Sequence, residues 1–357
     1  MWHISADTGG TFTDCFAIRP DGSEARFKVL SAGCLRSRLV EVVDRRRVRI
    51  ADDWGAADGL LSGFRAECVE ARMIVGWEAA THTAELSDDV PEGWVAGCVI
   101  EFRTGEEAPV LGARLLTGTP LGAAFPPMEF RVATTRATNA LLERKGSRVA
   151  LFITRGFGDL PVIGDQRRAD LFALKHTPRA RFHEVVCEVN GRMDASGAEL
   201  EPLDETAVRE SACECLAQGI THAAIALLHS YANSAHEHRV AKVLREAGFR
   251  HVSVSSELAS FVKLLPRAQS AIANAYLTGP VQSFLEGVAR PLQHPASIIH
   301  VMTSAGGLEA ATTIQPKDML LSGPAGGAIG AANAARRLGH ERSITFEREN
   351  GEKGTTT

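Results

Sequence analysis

The first thirty residues constrain the fold more than any other stretch of this chain. Apolar-rich runs at 2–7, 12–19 and 24–30 are separated by Gly9-Gly10 and by Pro20-Asp21-Gly22-Ser23. Glycine reaches backbone conformations closed to other residues, and Asp and Ser bond back to their own backbone, so both junctions carry turn chemistry. Runs of this length between such turns predict a strand–turn–strand–turn–strand meander. A short basic helix is expected next, over about 36–48.

From about 60 to 125 the pattern changes to short β-like runs such as Ala71 to Trp77 and Gly97 to Phe102, broken by Asp, Gly and Pro. A small β-rich insertion is expected there. Trp54, Trp77 and Trp94 read as packing for it rather than as a binding platform, because aromatic rings bring large buried area to small cores. After Pro126-Pro127 the chain alternates the two periods. A helix over Thr138 to Arg144 closing on Gly146 precedes a strand at Val149 to Ile153. A helix opens near Asp204, with Leu203 and Val208 placed as a hydrophobic staple. Further strands are expected at 223–228, 251–255, 298–302 and 343–346, and further helices at 236–247, 267–289 and 322–338. Such alternation argues an α/β fold with a mixed sheet flanked by helices. The expected segments are 1–59, 60–125, 126–200 and 201–346, with a disordered tail at 347–357.

The residues that carry chemistry begin at the first turn, Asp7-Thr8-Gly9-Gly10-Thr11-Phe12-Thr13-Asp14. Gly9 and Gly10 let backbone approach an anion closely, and the hydroxyls of Thr8 and Thr11 can donate to phosphate oxygens, with Thr13 counted in the same set. Asp7 and Asp14 suit a hydrated Mg²⁺, which keeps most of its waters and takes one or two carboxylates. Asp7 is the candidate metal residue, acting through water. An ordinary hairpin is the competing reading of two adjacent glycines, but a hairpin needs neither an acid at each end nor three threonines between them.

Thr135, Thr138 and Asn139 stand at an expected helix start, where unpaired amides favour an anion. Simple capping is the alternative. Gln166, Arg167 and Asp170 lie in a polar stretch where an arginine could grip a substrate carboxylate with two donors, a solvated loop being the alternative. His236 and His238 are two apart on a helix and cannot face one ion together. The seven cysteines include no Cys-x-x-Cys pair, so neither disulfides nor structural zinc are supported.

The opening octet resembles the first phosphate loop of the actin, sugar-kinase and heat-shock-chaperone ATPase superfamily, and more narrowly that of the hydantoinase A / 5-oxoprolinase family. The narrower likeness continues through Thr134-Thr135-Arg136-Ala137-Thr138-Asn139-Ala140-Leu141-Leu142-Glu143-Arg144-Lys145-Gly146 and Thr154-Arg155-Gly156-Phe157-Gly158-Asp159-Leu160. It extends to Leu228-His229-Ser230-Tyr231-Ala232-Asn233, His236-Glu237, Lys263 to Arg267, Thr303 to Leu308 and Leu321 to Gly327. Several motifs in one order are more specific than any of them alone. The resemblance implies a ribonuclease-H-like, actin-like ATPase lobe and an enzyme that spends ATP, with Mg²⁺, to open a small cyclic amide such as 5-oxoproline or a hydantoin. It also implies a hydantoinase B-type partner subunit or region. Asp7 and Asp14 become the catalytic candidates; Thr138, Asn139, Gln166, Arg167 and Asp170 become the substrate-facing ones. In the superfamily, the helix corresponding to the one opened by Ser322-Gly323-Pro324-Ala325-Gly326-Gly327 links two lobes. The segment is therefore expected to act as a hinge, with Gly326 and Gly327 counted with Thr135 on the nucleotide side.

After Phe346 the resemblance leads one to expect a second phosphate loop, yet the chain reads on through charged residues and glycines to Thr357. A C-terminally truncated portion of such an enzyme is the resulting expectation, by truncation, frameshift or division into subunits. A small-molecule kinase on the same superfold, or a non-catalytic nucleotide-binding fragment, are the alternatives. Composition narrows the rest: 45% hydrophobic and 23% charged residues with a net charge of −4 describe an ordinary globular chain. Its basic clusters, Arg45-Arg46-Arg47 and Arg167-Arg168, are too short to make nucleic acid the expected partner. No membrane segment or secretory leader is expected, and a cytoplasmic location is the default.

Overall fold

The computed structural model describes residues 1–166, 172, 180–259 and 261–344. The described residues form two compact units, one drawn from 1–139, 283–314 and 318–344, the other from 140–282 with 315–317.

The first unit opens with the expected meander, β1 (Trp2–Thr8), β2 (Phe12–Ile18) and β3 (Glu24–Leu30), each antiparallel to the one before. The expected basic helix over 36–48 is absent. Those residues form β4 (Cys34–Val42) and enter β5 (Arg47–Ile50). The period is two: Leu35, Ser37 and Leu39 are buried while Arg36, Arg38 and Val40 are exposed. The arginine run is a turn tip, because Asp44 Oδ1 accepts from the amides of Arg46 and Arg47 at 2.9 Å each. With β6 (Arg65–Glu67), β7 (Ala71–Glu78), β8 (Thr83–Leu86) and β9 (Val99–Arg103), these strands pair in the order β4-β5-β8-β7-β6-β9, and β9 returns to β4. The result is a closed six-stranded antiparallel barrel, and the boundary expected at 60 falls inside it. Closure leaves no unpaired edge.

Phe64, Phe102, Leu61, Ile74 and Leu86 fill the barrel with no more than 1% exposure. Burying each contributes about 1.5–3 kcal/mol. Trp77 and Trp94 pack here as expected, their indole N–H groups donating to the carbonyls of Ala56 (3.1 Å) and Glu70 (3.3 Å).

Helix α1 (Ala108–Thr117) then crosses the meander, with Pro109 in its first turn and Gly118 closing it at φ 66°. Gly112 lets it approach: a Cβ there would stand 2.3 Å from Cys15 Sγ. Arg114, only 3% exposed, makes paired bonds to Glu106 at 2.7 and 2.6 Å, so its charge is not left buried alone. Strand β10 (Met128–Thr134) lies parallel to β1, and α2 (Arg136–Leu142) follows.

In the second unit, β11 (Val149–Thr154) precedes the single turn α3 (Leu160–Ile163) and β12 (Val185–Val189). A small hairpin of β13 (Arg192–Met193) and β14 (Glu199–Glu201) leads to α4 (Glu205–Ala217), β15 (His222–Ala226), α5 (Ala235–Ala247) and β16 (His251–Val254). The four long strands are all parallel, in the order β12-β11-β15-β16. Asp204 caps α4 by accepting the Ala207 amide at 3.0 Å, and Leu203 and Val208 are buried beside it, as the staple pattern requires. His236 is a packing residue, 2% exposed and 2.6 Å from Glu199 Oε1.

After α6 (Ser255–Leu258), α7 (Leu264–Ala289) carries Pro280 in its interior. Proline removes the amide that would have bonded the carbonyl four residues earlier. That carbonyl, on Tyr276, instead accepts from the Ser147 amide at 2.8 Å. Gly146 is needed for this docking rather than for a helix cap, since a Cβ would stand 2.1 Å from the Tyr276 ring; the left-handed residue after α2 is Arg144, at φ 60°.

The chain returns to the first unit with β17 (Ile298–Met302), parallel to β10, then β18 (Leu308–Ala310) and α8 (Ser322–Arg337). The sheet there runs β18-β17-β10-β1-β2-β3 before passing into the barrel. Of the strand expected at 343–346, Ser343 and Ile344 are not in a strand, and the rest lies outside the described residues, as does the tail. The architecture is mixed α/β, as expected.

Candidate functional site

Side chains alternate across a strand, and the β1–β2 register pairs Asp7 with Asp14 and Thr8 with Thr13. The two acids therefore stand side by side on one face of the hairpin, and both are exposed. The two threonines share the opposite, buried face. Thr13 is fully enclosed, its hydroxyl 3.1 Å from Ser31 Oγ, and Thr8 is 4% exposed with its Oγ1 unpartnered among the described residues. Both hydroxyls accordingly lie on the buried side of the hairpin.

At the tip, the Gly9 amide is already bonded to Phe12 O at 3.0 Å. The amides of Gly10 and Thr11 have no backbone partner among the described residues. Neither Gly9 nor Gly10 has a positive φ, and a Cβ on Gly10 would meet nothing within 4 Å. Glycine at position 10 thus leaves open space beside free amides.

The acid-bearing face borders a cleft of about 400 Å³ lined by Asp7, Asp14, Arg131, Met302, Gly323 and Gly326. Ser5 and Arg131 are partners in the β1–β10 register, as are Asp7 and Ala133, so Arg131 lies on the same face as Asp7. Arg131 donates from Nε and Nη2 to Glu129 Oε1 at 3.0 and 2.8 Å. That pairing holds the Glu129 carboxyl below the usual carboxylate range, with His3 adding to the effect against the opposing pull of desolvation. Lys28 Nζ reaches Asp14 Oδ1 at 3.2 Å. On the other face, burial pushes the Cys15 thiol up to about 12, leaving it an inert packing group.

Gly326, expected on the nucleotide side, lines the cleft, and Gly327 has open space at its Cβ position. Helix α8 is pinned at its start, because Ser322 Oγ donates to Thr134 O at 3.0 Å and Thr138 Oγ1 donates to Leu320 O. Thr135 gives its amide to Thr8 O at 3.0 Å, and its hydroxyl accepts from Asn139 Nδ2 at 3.3 Å. Thr135, Thr138 and Asn139 therefore act as the clasp between the end of β1, the start of α2 and the start of α8. The second unit places Gln166, exposed and at φ 60°, just after α3. Arg167 and Asp170 lie outside the described residues.

Arg131 and Met302 belong to the cleft but were not singled out in sequence, and Gly323, which also lines it, was read only as part of the hinge segment. Alternation along β10 marks Arg131 only once β1 is known to be its neighbour. Among the described residues no group of three His, Cys, Asp or Glu is arranged to hold a metal, and no helix is long and apolar enough to cross a membrane.

Comparison with known proteins places this geometry in context. Residues 106–248 match the hydantoinase/oxoprolinase N-terminal region, and residues 267–357 match hydantoinase/oxoprolinase. The chain is 35% identical over 269 residues to 5-oxoprolinase 1 of Arabidopsis thaliana, covering 67% of this chain and 21% of that protein. It is 37% identical over 228 residues to 5-oxoprolinase of Saccharomyces cerevisiae, covering 56% of this chain and 18% of the relative. The chain thus spans about a fifth of the length of these relatives. Among solved structures, nucleotide-free acetone carboxylase superposes with a TM-score of 0.61 and the ATP-dependent caprolactamase from Pseudomonas jessenii with 0.57. Each is 20% identical, over 94% of this chain and 41% of the other. At that identity the likeness is one of fold.

Proposed function

This chain belongs to the hydantoinase/oxoprolinase family, and we propose that it supplies the phosphate-binding hairpin of an ATP-dependent hydrolase that opens a cyclic amide, 5-oxoproline or a hydantoin. The observation that carries the reading is the pairing of Asp7 with Asp14 on the wall of one cleft, in a hairpin whose Gly10 and Thr11 amides have no backbone partner among the described residues. A meander continued by two parallel strands, with α1 against β1 to β3 and α8 against β10 and β17, supports the actin-like reading of the lobe.

The residues present fit a nucleotide's phosphates in chemistry. Backbone amides at an open glycine turn suit phosphate oxygens. Two adjacent carboxylates suit a hydrated Mg²⁺, which needs no larger donor set. When bound, ATP would supply the phosphoryl group that makes an unreactive amide oxygen part of a leaving group, with Mg²⁺ spreading the phosphate charge. Asp7 and Asp14 would hold the hydrated ion, Gly10 and Thr11 would donate to phosphate, and Arg131, held in place by Glu129, would add positive charge beside them. Catalysis of this kind relies on positioning and charge neutralisation more than on covalent chemistry by the protein. Substrate contacts by Gln166, Arg167 and Asp170, and assembly with a hydantoinase B-type partner, complete the proposal. Its motivation is that acetophenone carboxylase of Aromatoleum aromaticum, a relative 29% identical, has the matching region in its gamma subunit.

Calorimetric titration of the chain with ATP and Mg²⁺ tests the first half. Saturable binding weakened by Asp7→Asn is expected, and binding indifferent to both Asp7→Asn and Asp14→Asn would sink the assignment. Ring opening by the chain combined with the remaining region of a family member tests the second half. A stable phosphorylated product in that assay would point to a kinase instead.

A further inference from the structure

The barrel bears a second pocket that the reading above does not use. It holds about 560 Å³ and is lined by Trp54, Phe12, Lys28, Arg36, Arg38 and Asp52 among others. That size falls within the range of small-molecule sites, ~300–1,000 Å³. Three features separate it from an ordinary surface depression.

The first is Trp54. It occupies the turn Asp53-Trp54-Gly55-Ala56, closed by the Ala56 amide on Asp53 O at 2.9 Å, with Trp54 at φ 49° and Gly55 at φ 65°. A turn with two left-handed central residues favours Gly, Asn or Asp, and a bulky ring there is strained. Strain of this kind persists where the surroundings over-determine it, and it gathers at ligand sites. The half-buried ring packs on the barrel core, meeting Phe102 at a steep angle with centroids 5.2 Å apart. Unlike Trp77 and Trp94, Trp54 has no hydrogen-bond partner for its indole N–H among the described residues.

The second is charge. Three cations face one carboxylate in a chain whose net charge is −4. Arg36 is tied to Glu101 at 2.6 Å, and Asp52 is engaged by the Ser37 hydroxyl at 2.7 Å. Arg38 has neither an ion pair nor a side-chain hydrogen bond among the described residues.

The third is continuity with the hairpin. Phe12 follows the phosphate-loop tip directly. Lys28 lies 5.0 Å above the Phe12 ring while bonding Asp14. An anion drawing on Lys28 would compete with Asp14 for it.

We propose that this pocket binds a small planar anion, its ring against Trp54 and its phosphate or carboxylate on the guanidinium of Arg38. Aromatic stacking accepts any flat ring, and guanidinium forks accept phosphate and carboxylate alike. A nucleoside monophosphate and an aromatic carboxylate are the two sources of that chemistry.

Titrating the chain with AMP, with benzoate and with inorganic phosphate, following tryptophan emission, distinguishes them. AMP or benzoate is expected to change the emission saturably, whichever does so naming the source, with inorganic phosphate binding more weakly. Arg38→Met, an outward-facing change on β4, is expected to weaken binding about tenfold or more. Trp54→Phe should abolish the optical signal while equilibrium dialysis still detects the ligand. The proposal is overturned if neither ring compound binds, if phosphate alone binds as well as both, or if the signal survives Trp54→Phe. It is likewise overturned if Arg38→Met leaves binding intact while Asp7→Asn removes it, since the ligand then sits in the hairpin cleft. Circular dichroism of each variant checks the fold.

Discussion

Glu237 and Arg267 meet 3.3 Å apart with no exposed surface on either side chain. Glu237 also accepts the amides of Leu227 (2.8 Å) and Ser256 (2.9 Å), and Arg267 donates to Leu227 O at 2.7 Å. One ion pair thus ties the end of β15 to α5, α6 and α7. Burial pulls the arginine below its usual range and Glu237 opposes that pull. Removing the acid strands a buried cation, so Glu237→Ala should cost about 3–5 kcal/mol. Urea unfolding measures this, and a loss under about 1 kcal/mol would contradict the assignment. The double replacement Glu237→Leu with Arg267→Met should recover only the part of the loss due to the unpaired cation, because the Leu227 and Ser256 amides still lack their acceptor.

A pH dependence follows from His251. Its Nε2 lies 2.9 Å from Ser253 Oγ, which itself accepts from Asn274 Nδ2 at 3.1 Å. The serine's single hydrogen is therefore free to go to His251, which must be neutral to accept it. Burial, with His222 and Arg245 nearby, depresses His251 to about 4. A base whose folded pKa lies below its unfolded value near 6.5 gives stability that is complete above pH 6.5 and is lost as pH falls toward 4. The unfolding midpoint of the wild type should drop over that window by more than that of His251→Gln. Parallel pH profiles for the two proteins would rule the histidine out as the cause.

The contact of α1 with the meander rests on Gly112. A Cβ there would stand 2.3 Å from Cys15 Sγ, so Gly112→Ala must push the helix away from β2. Overpacking of this kind costs about 1–3 kcal/mol. Combining Gly112→Ala with Cys15→Ala removes the clashing sulfur, and the pair should be more stable than Gly112→Ala alone. Strict additivity in a double-mutant cycle would show that the two sites do not touch.

The hairpin acids are expected to separate binding from stability. Among the described residues, the side chain of Asp14 makes an exposed pair with Lys28, worth about 0–1 kcal/mol. Asp14→Asn should therefore leave the melting temperature nearly unchanged. Nucleotide affinity in the presence of Mg²⁺ should fall about tenfold, a loss near 1.4 kcal/mol. A variant that melts early but binds normally would reverse this assignment.

The sequence by itself determined the features that depend on near neighbours. The meander, the aspartate cap and staple on α4, and the α/β alternation were all legible, because turn chemistry and amphipathic period act over a few residues. The ordered motifs also carried the family. What tertiary structure alone decided depends on which strands become neighbours. The arginine-rich 36–48 stretch has helix-compatible composition, yet pairing with β9 and β8 makes it barrel wall. Thr8 and Thr13 look like donors in the string, but the register of β1 and β2 turns them to the buried face and turns Asp7 and Asp14 outward. Arg131 joins the acids only because β10 lies beside β1, and Gly146 is required by the Tyr276 ring rather than by a helix end. Alternation is written in a strand, but which face becomes the inside is settled only by what packs against it.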